Sequence, residues 1–410
     1  MESIESATKA AGGSTAARVL SYCAAPLTGI LFFIPYTAWT GKEGAFQDFF
    51  TYYYSGLAWS RGVDPFVFAQ IKELAAPEEL LFPFLYSPVM LPLCSLFSRL
   101  TLPQAAYWYT VGAILTQMVA ITLVVKFFFN ARVKPLLFVT LLLFAFCTPN
   151  PPALIGLHSG NFAVYEAAFI WIALTLLLSG RRKAFLAVIC TVSLAKLTPI
   201  LLAPLVLAEG RDRRTWVELC TALALFALVW LSPLAWDPAL FKSYIEAMGV
   251  FTAWERGLIN PSSYSIALEL RTLFSLPEWG PAVIYATYVV LILGFSFITA
   301  SRARIVCEKK KVIFLAVLCY CLVLPRFKDY SYMLLFPVVY DLSRRHIELI
   351  AICLFGSLFL YNSPFALEAA ADHLQLLPLL FQYSAFIALF CCWLYFVSEM
   401  REESTPLRPV

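Results

Sequence analysis

Charge is scarce in this chain. Only 14% of its 410 residues are Asp, Glu, Lys or Arg, while 61% are hydrophobic. Soluble globular proteins carry about 25% charge and roughly 45–50% apolar residues. A soluble core of this size has no room for so much apolar surface, so the surrounding solvent must be lipid. The mean hydropathy of +0.77 agrees. Histidine is rarer still, with 3 residues, and the 11 cysteines form no Cys-x-x-Cys pair. That argues against a zinc site and against a disulfide framework. Cysteines inside apolar runs, such as Cys319, Cys321, Cys391 and Cys392, read as small packing residues. No internal repeat, no low-complexity tract and no Asp-x-Asp motif is found. A cleavable signal is not expected either. Residues 1–17 are polar, and the apolar stretch from Val19 to Trp39 is too long for a signal's hydrophobic region, so it reads as the first membrane helix.

What the chain has is apolar runs, aromatics and proline. Phe, Tyr and Trp make up 16% of residues, which suits lipid-facing walls and interfacial belts. Proline, at 25 residues, is high for a helical protein and marks broken helices, as at membrane functional sites. The expected spans are 18–39, 103–126, 135–149, 161–179, 216–236, 281–300, 312–325, 330–342, 347–361 and 375–398. With two ambiguous segments, 84–99 and 184–208, the expectation is an all-α polytopic membrane protein of about 10–13 membrane segments. One transmembrane domain covers 18–398, between a cytoplasmic tail at 1–17 and another at 399–410.

Basic clusters set the orientation. They lie at Lys126/Arg132/Lys134, Arg181/Arg182/Lys183, Arg211/Arg213/Arg214, Arg302/Arg304/Lys309/Lys310/Lys311 and Arg344/Arg345. All are placed in the cytoplasm. The net charge of +4 is then loop bias and not a nucleic-acid footprint. External loops follow at about 40–84, 150–160, 237–280, 325–330 and 362–374. The run 184–208 is basic at both ends with Lys196 at its middle. A lysine there costs roughly 2.5–3.5 kcal/mol on a spanning helix. A hairpin of two short helices, tipped by Lys196 and broken at Pro199, avoids the cost. One tilted helix with Lys196 facing the bundle is the alternative. Segment 84–99 reads as a short, partly inserted helix broken by Pro88 and Pro92.

The first external loop carries Asp48, followed at helical spacing by Tyr52 in a tyrosine-rich stretch. The stretch has the pattern of short interfacial amphipathic helices. Asp48 either caps that helix, a role worth about 1 kcal/mol, or meets a lipid headgroup and a water-soluble acceptor. Asp64 reads as a turn residue before Pro65. Arg326 and Lys328 form a basic knot on the external side, against the charge rule, as phosphate ligands or snorkelling side chains. His158 and Asn161 fall in a Pro-rich external loop, where His158 either bonds sugar or phosphate or is merely solvated. Glu166, one turn into the next apolar helix, needs a partner, and Lys196 is the candidate. The stretch Asn260 to Ser265 contacts an acceptor or caps a helix, and Pro261 rules out a glycosylation sequon.

The pattern Asp48-Phe49-x-x-Tyr52-Tyr53-x-x-Gly56, then Gly62-x-Asp64-Pro65-Phe66, resembles the first loop of glycosyltransferase family 87. Tyr86-Ser87-Pro88 resembles that family's Tyr-Pro-Pro, with Ser87 departing. Gly160-Asn161, preceded by Pro149 and Gly156, resembles its Gly-Gln-x-Asn region without the Gln. Lys196-x-x-Pro199 and Asn260-x-Ser262 resemble two further motifs, in the family's order. The resemblance runs from about 18 to 340. It implies a GT-C-type fold and an inverting transfer from a polyprenyl-phosphate sugar, mannose or a related hexose. The acceptor would be a glycolipid or polysaccharide on the external face of a bacterial inner membrane. It also implies that Asp48 is catalytic. Lys196, Arg326 and Lys328 are then candidates for the donor phosphate. Tyr52, Tyr86, His158, Asn161, Glu166 and Asn260 are candidates for substrate contact. No nucleotide takes part, so no metal or other cofactor is expected. The rivals are a secondary transporter or lipid flippase, another GT-C enzyme, and a scaffold for envelope polysaccharide assembly.

Overall fold

A computed structural model describes residues 46–76, 79–130, 133–134, 137–139, 152–254, 262–303, 309–346, 348–349 and 383–404. Among them the regular structure is helical throughout. Two short helices, α1 (Gln47–Ser60) and α2 (Phe68–Leu74), precede a 3₁₀ turn at Pro88–Met90 that leads into α3 (Leu91–Phe97). Next come α4 (Leu102–Phe127), α5 (Pro152–Ser159), α6 (Ala163–Leu178) and α7 (Arg182–Ala195), then a 3₁₀ segment at Thr198–Ala208. The chain continues through α8 (Arg213–Leu231), α9 (Pro233–Trp236), α10 (Pro238–Trp254), α11 (Ser263–Phe274), α12 (Gly280–Ala303) and α13 (Lys309–Val323). A 3₁₀ segment at Asp329–Leu335, α14 (Phe336–Ser343) and α15 (Ser384–Ser404) complete the order.

Four of these, Leu102–Phe127, Arg213–Trp236, Gly280–Ser301 and Ser384–Glu403, are long and apolar enough to cross a membrane. The first three match the expected spans 103–126, 216–236 and 281–300, and the fourth overlaps the expected 375–398 from residue 384 on. With the shorter apolar helices, they make the protein an all-α polytopic membrane protein. The expected span 18–39, nearly all of 347–361, most of 135–149 and the start of 375–398 lie outside the described residues. The segment 330–342 is not one helix: it divides into the 3₁₀ stretch and α14, with Pro337 in the first turn of the second. The last helix runs past the expected boundary at 398 to Ser404, because Glu399 and Glu403 pair with Lys311 across from it.

The middle of the bundle is α6. It is apolar nearly all round and buried along its length, with Ala168, Ile170, Ala173, Leu174 and Leu177 fully enclosed. Sixteen residues at 1.5 Å give it a length of about 24 Å. Its two ends differ. At the C-terminal end Lys309 donates to the Leu177 carbonyl at 2.8 Å and pairs with Glu209. Arg182 reaches Glu209 at 3.9 Å and Glu218 at 3.5 Å. Lys310 and Arg345 share Asp341 at 2.6 and 2.8 Å, and Lys134 donates to the Arg344 carbonyl at 3.2 Å. Arg214 joins Arg182 on Glu218 at 3.3 Å, so all five basic clusters are represented at one end of the bundle.

The expected hairpin at 184–208 is present. Arg182 opens α7 and Glu209 closes the 3₁₀ arm, yet the two pair, so the chain goes out and returns. An α-helix of fourteen residues is about 21 Å long and a 3₁₀ helix of eleven about 22 Å, so the arms match. Neither arm spans a hydrocarbon layer of about 30 Å. The break falls at Lys196, whose backbone is extended, and Pro199 then sits in the first turn of the second arm. Lys196 therefore returns to the level at which α6 begins, the end opposite the basic clusters.

Segment 84–99 is likewise short of spanning. Its prolines start helices and do not interrupt them: Pro88 opens the 3₁₀ turn, capped by Ser87, and Pro92 lies in the first turn of α3. Helix α1 crosses α3 at Gly56, where a Cβ would lie 2.3 Å from the Cys94 carbonyl carbon, so only glycine lets the helices touch. This contact corrects the amphipathic reading of α1. Thr51 through Gly56 are all buried, and the tyrosines face protein on several sides, with no single wet face.

Candidate active site

The site forms where α1 meets the start of α6. Gly160 turns the chain with φ +66° just before α6, and a Cβ there would lie 2.6 Å from the Phe49 Cβ. The turn can therefore press directly on α1. From the other side, Phe46 takes a left-handed φ of 61°, unusual for a bulky residue, and donates its N–H to the His158 carbonyl at 2.6 Å. These two contacts set where α1 starts.

Asp48 sits in the first turn of α1 but does not cap it; the cap position is Phe46 and no side-chain bond closes the helix. The carboxylate instead accepts a hydrogen bond from Asn161 Nδ2 at 2.9 Å. Asn161 is buried, and its Oδ1 accepts the Ala163 N–H at 2.8 Å at the head of α6. Both ends of the amide are used, so Asn161 clamps Asp48 to the α6 terminus. One turn further along α1, the Tyr52 hydroxyl accepts the Phe162 N–H at 3.2 Å and lies 2.7 Å from the Tyr86 hydroxyl. Burial above all, then Tyr86 and Asp48, pushes the Tyr52 phenol well above its ordinary value. Burial and the Asp48 charge push Tyr86 up as well, while Arg326 pulls it down. Both phenols therefore stay protonated at neutral pH and act only as hydrogen-bonding groups.

A second set lies in the first turn of α6. Glu166, buried, pairs with Lys196 at 2.9 Å, the partner expected from the sequence. The Tyr320 hydroxyl donates to Glu166 Oε1 at 3.3 Å and is 3.2 Å from the Thr198 hydroxyl. The ammonium groups of Lys196 and Lys328 both lie against the Tyr330 ring, at 5.6 and 5.8 Å from its centre. Tyr86 feels the charges of Asp48, Glu166 and Arg326 together, so the two sets share one electrostatic environment.

Asp48, Tyr52, Tyr86 and Asn161 thus assemble as one group, and Glu166, Lys196 and Lys328 as a neighbouring one. Residues 152–159 are helical and not the open loop expected there; His158 ends α5 half-buried, and its carbonyl anchors Phe46. Asn260 lies outside the described residues. Ser262, two positions on, caps α11 and donates to the Pro325 carbonyl at 2.5 Å, so this stretch includes a helix cap. Asp64 forms the expected turn, its Oδ1 accepting the Phe66 N–H at 2.9 Å. Sequence reasoning missed Tyr320 and Thr198. Tyr320 is hidden in an apolar run, and the only cue to Thr198 was its place between Lys196 and Pro199. Among the described residues, no group of three or more His, Cys, Asp or Glu side chains is arranged to hold a metal ion.

No curated protein and no solved structure matches the chain. The sequence profile of glycosyltransferase family 87 matches residues 84–325, more than half of the chain. That segment contains Tyr86, Asn161, Glu166, Lys196 and Tyr320, whereas Asp48 and Tyr52 precede it and join it through Asn161 and Tyr86. On that match the chain belongs to glycosyltransferase family 87.

Proposed function

We propose that this glycosyltransferase moves a hexose, mannose or a close relative, from a polyprenyl phosphate to a glycolipid or polysaccharide acceptor. The transfer inverts the anomeric centre and takes place in a GT-C-type fold on the external face of a bacterial inner membrane. The observation that carries this reading is the Asp48 carboxylate, held by Asn161 at the head of α6, whose first turn carries the Glu166–Lys196 pair. A base and a phosphate-binding cation are the two groups such a transfer needs.

In this reaction the acceptor hydroxyl gives its proton to Asp48 while its oxygen attacks the anomeric carbon. The bond from that carbon to the phosphate oxygen breaks, and its electron pair leaves with the phosphate. Lys196, Arg326 and Lys328 offset the charge that builds there. Tyr52, Tyr86 and Asn161 supply neutral hydrogen-bonding groups for sugar hydroxyls, and His158 lies beside them. The placement of the site supports the external side. It lies at the end of α6 opposite the basic clusters, and the exposed Tyr107, Trp108, Trp236 and Trp279 lie at the matching ends of α4, α9 and α12. Such aromatic belts mark a membrane–water boundary.

Purified protein incubated with polyprenyl-phosphate sugars and a membrane glycolipid extract tests this. Wild type should consume donor and yield a new glycolipid band. Asp48→Asn keeps the shape of the side chain and should lower turnover by about 10²–10⁴-fold while still binding donor. Full turnover by that variant would sink the mechanism.

A further inference from the structure

The reaction changes the charge that Lys196 must face. The donor headgroup is a phosphodiester with one negative charge. Once the sugar has left, the product is a phosphate monoester, carrying about −1.5 to −2 near neutral pH. A cation placed to stabilise the departing phosphate therefore holds the product more tightly than the donor. A site with lysines alone would be slow to release prenyl phosphate.

Glu166 supplies the opposing charge. It is buried, bonded to Lys196 through Oε2 at 2.9 Å and to the Tyr320 hydroxyl through Oε1 at 3.3 Å. Lys196 is the more exposed partner and stands at the tip of the hairpin, facing the Tyr330 ring. When Lys196 turns to a phosphate, Glu166 loses its cation but keeps Tyr320, itself buried and braced near Thr198. A buried carboxylate with one remaining donor is costly, though less so than one with none. Phosphate and Glu166 thus compete for one ammonium, and Tyr320 sets the terms.

We propose that Glu166 is a product-release residue: it stands in for the phosphate on Lys196 in the empty site and displaces prenyl phosphate after transfer, with Tyr320 as its positioning residue. This rests on the polyprenyl-phosphate reading above. Competition of this kind acts on both ligands but most on the product, because the monoester carries the larger charge. It also assigns opposite effects to two neighbouring side chains. Removing the Glu166 charge frees Lys196 for phosphate. Removing the Tyr320 hydroxyl leaves Glu166 more dependent on Lys196 and makes the pair harder to part.

The experiment measures binding of a long-chain prenyl phosphate, and of the same lipid phosphate carrying mannose, to the full-length protein in lipid nanodiscs. Glu166→Gln, which keeps shape and a hydrogen bond to Tyr320, should tighten prenyl phosphate about tenfold and the mannosyl lipid by less. In turnover its product-inhibition constant should fall by the same factor, with an initial burst followed by a slower steady rate. Tyr320→Phe should shift prenyl phosphate binding the other way, weakening it several-fold. A general packing defect would move both variants in one direction. Equal or weaker prenyl phosphate binding by Glu166→Gln, or tighter binding by Tyr320→Phe, overturns the proposal. If wild type binds neither lipid, the donor assignment itself falls, and this inference with it.

Discussion

Tyr52 and Tyr86 tie the chemistry of the site to its stability. Their hydroxyls are 2.7 Å apart beside Asp48, and burial raises both phenols above the ordinary value of about 10. A phenol whose folded pKa exceeds its unfolded one binds its proton more tightly in the folded state. Its contribution is complete below the unfolded value and is lost as pH rises towards the folded one. Stability should therefore hold to about pH 10 and then fall by about 1.4 kcal/mol per pH unit for each such phenol. Tyr86→Phe removes one of them and leaves Tyr52 its bond from Phe162. Thermal unfolding from pH 8 upward should show a shallower alkaline decline in that variant; an unchanged slope would mean that Tyr86 does not titrate with unfolding. The clamp on Asp48 was not legible at this scale. Asn161 is 113 residues away in sequence, and nothing local to either residue signals the pairing. The Glu166–Lys196 pair was legible, because two opposite charges in apolar runs each need a partner and few others are on offer.

At the scale of elements, two close contacts decide where Asp48 and Tyr52 point. One is the Gly160 turn against Phe49; the other is Gly56 against the α3 backbone. The second is the sharper test, since the obstacle is a main-chain carbonyl that cannot rotate away. Gly56→Ala should push α1 off α3, cost about 1–3 kcal/mol of stability, and lower transfer by parting Tyr52 from Tyr86. A thermal shift with an assay of turnover checks both; wild-type values for Gly56→Ala would mean that the crossing is looser than described. The hairpin at 182–208 could be anticipated because basic flanks at both ends and a central lysine leave few low-cost arrangements. Burial of α1 could not. Tyrosine suits both a headgroup region and a protein interface, and its spacing alone does not say which surface the ring meets.

For the whole molecule, the two ends of α6 carry different chemistry, and that polarity makes a claim about sidedness. Lysines and arginines from five clusters meet at the C-terminal end, within about 24 Å of the Asp48–Asn161 contact at the other. Cytoplasmic loops of membrane proteins are enriched in such residues, and long-range insertion follows them. The α1–α2 connection should then lie outside. Arg61 is exposed in that connection, and Arg214, with a side chain 73% exposed, lies at the basic end. In intact cells a membrane-impermeant maleimide should label Arg61→Cys directly, and Arg214→Cys only after permeabilisation. Both are scored against the background of the native cysteines, of which Cys220 is exposed. Labelling in the reverse order would place Asp48 on the cytosolic side, away from any external acceptor. The intramolecular geometry would stand unchanged, but the proposed base and cations would then serve a donor presented from within.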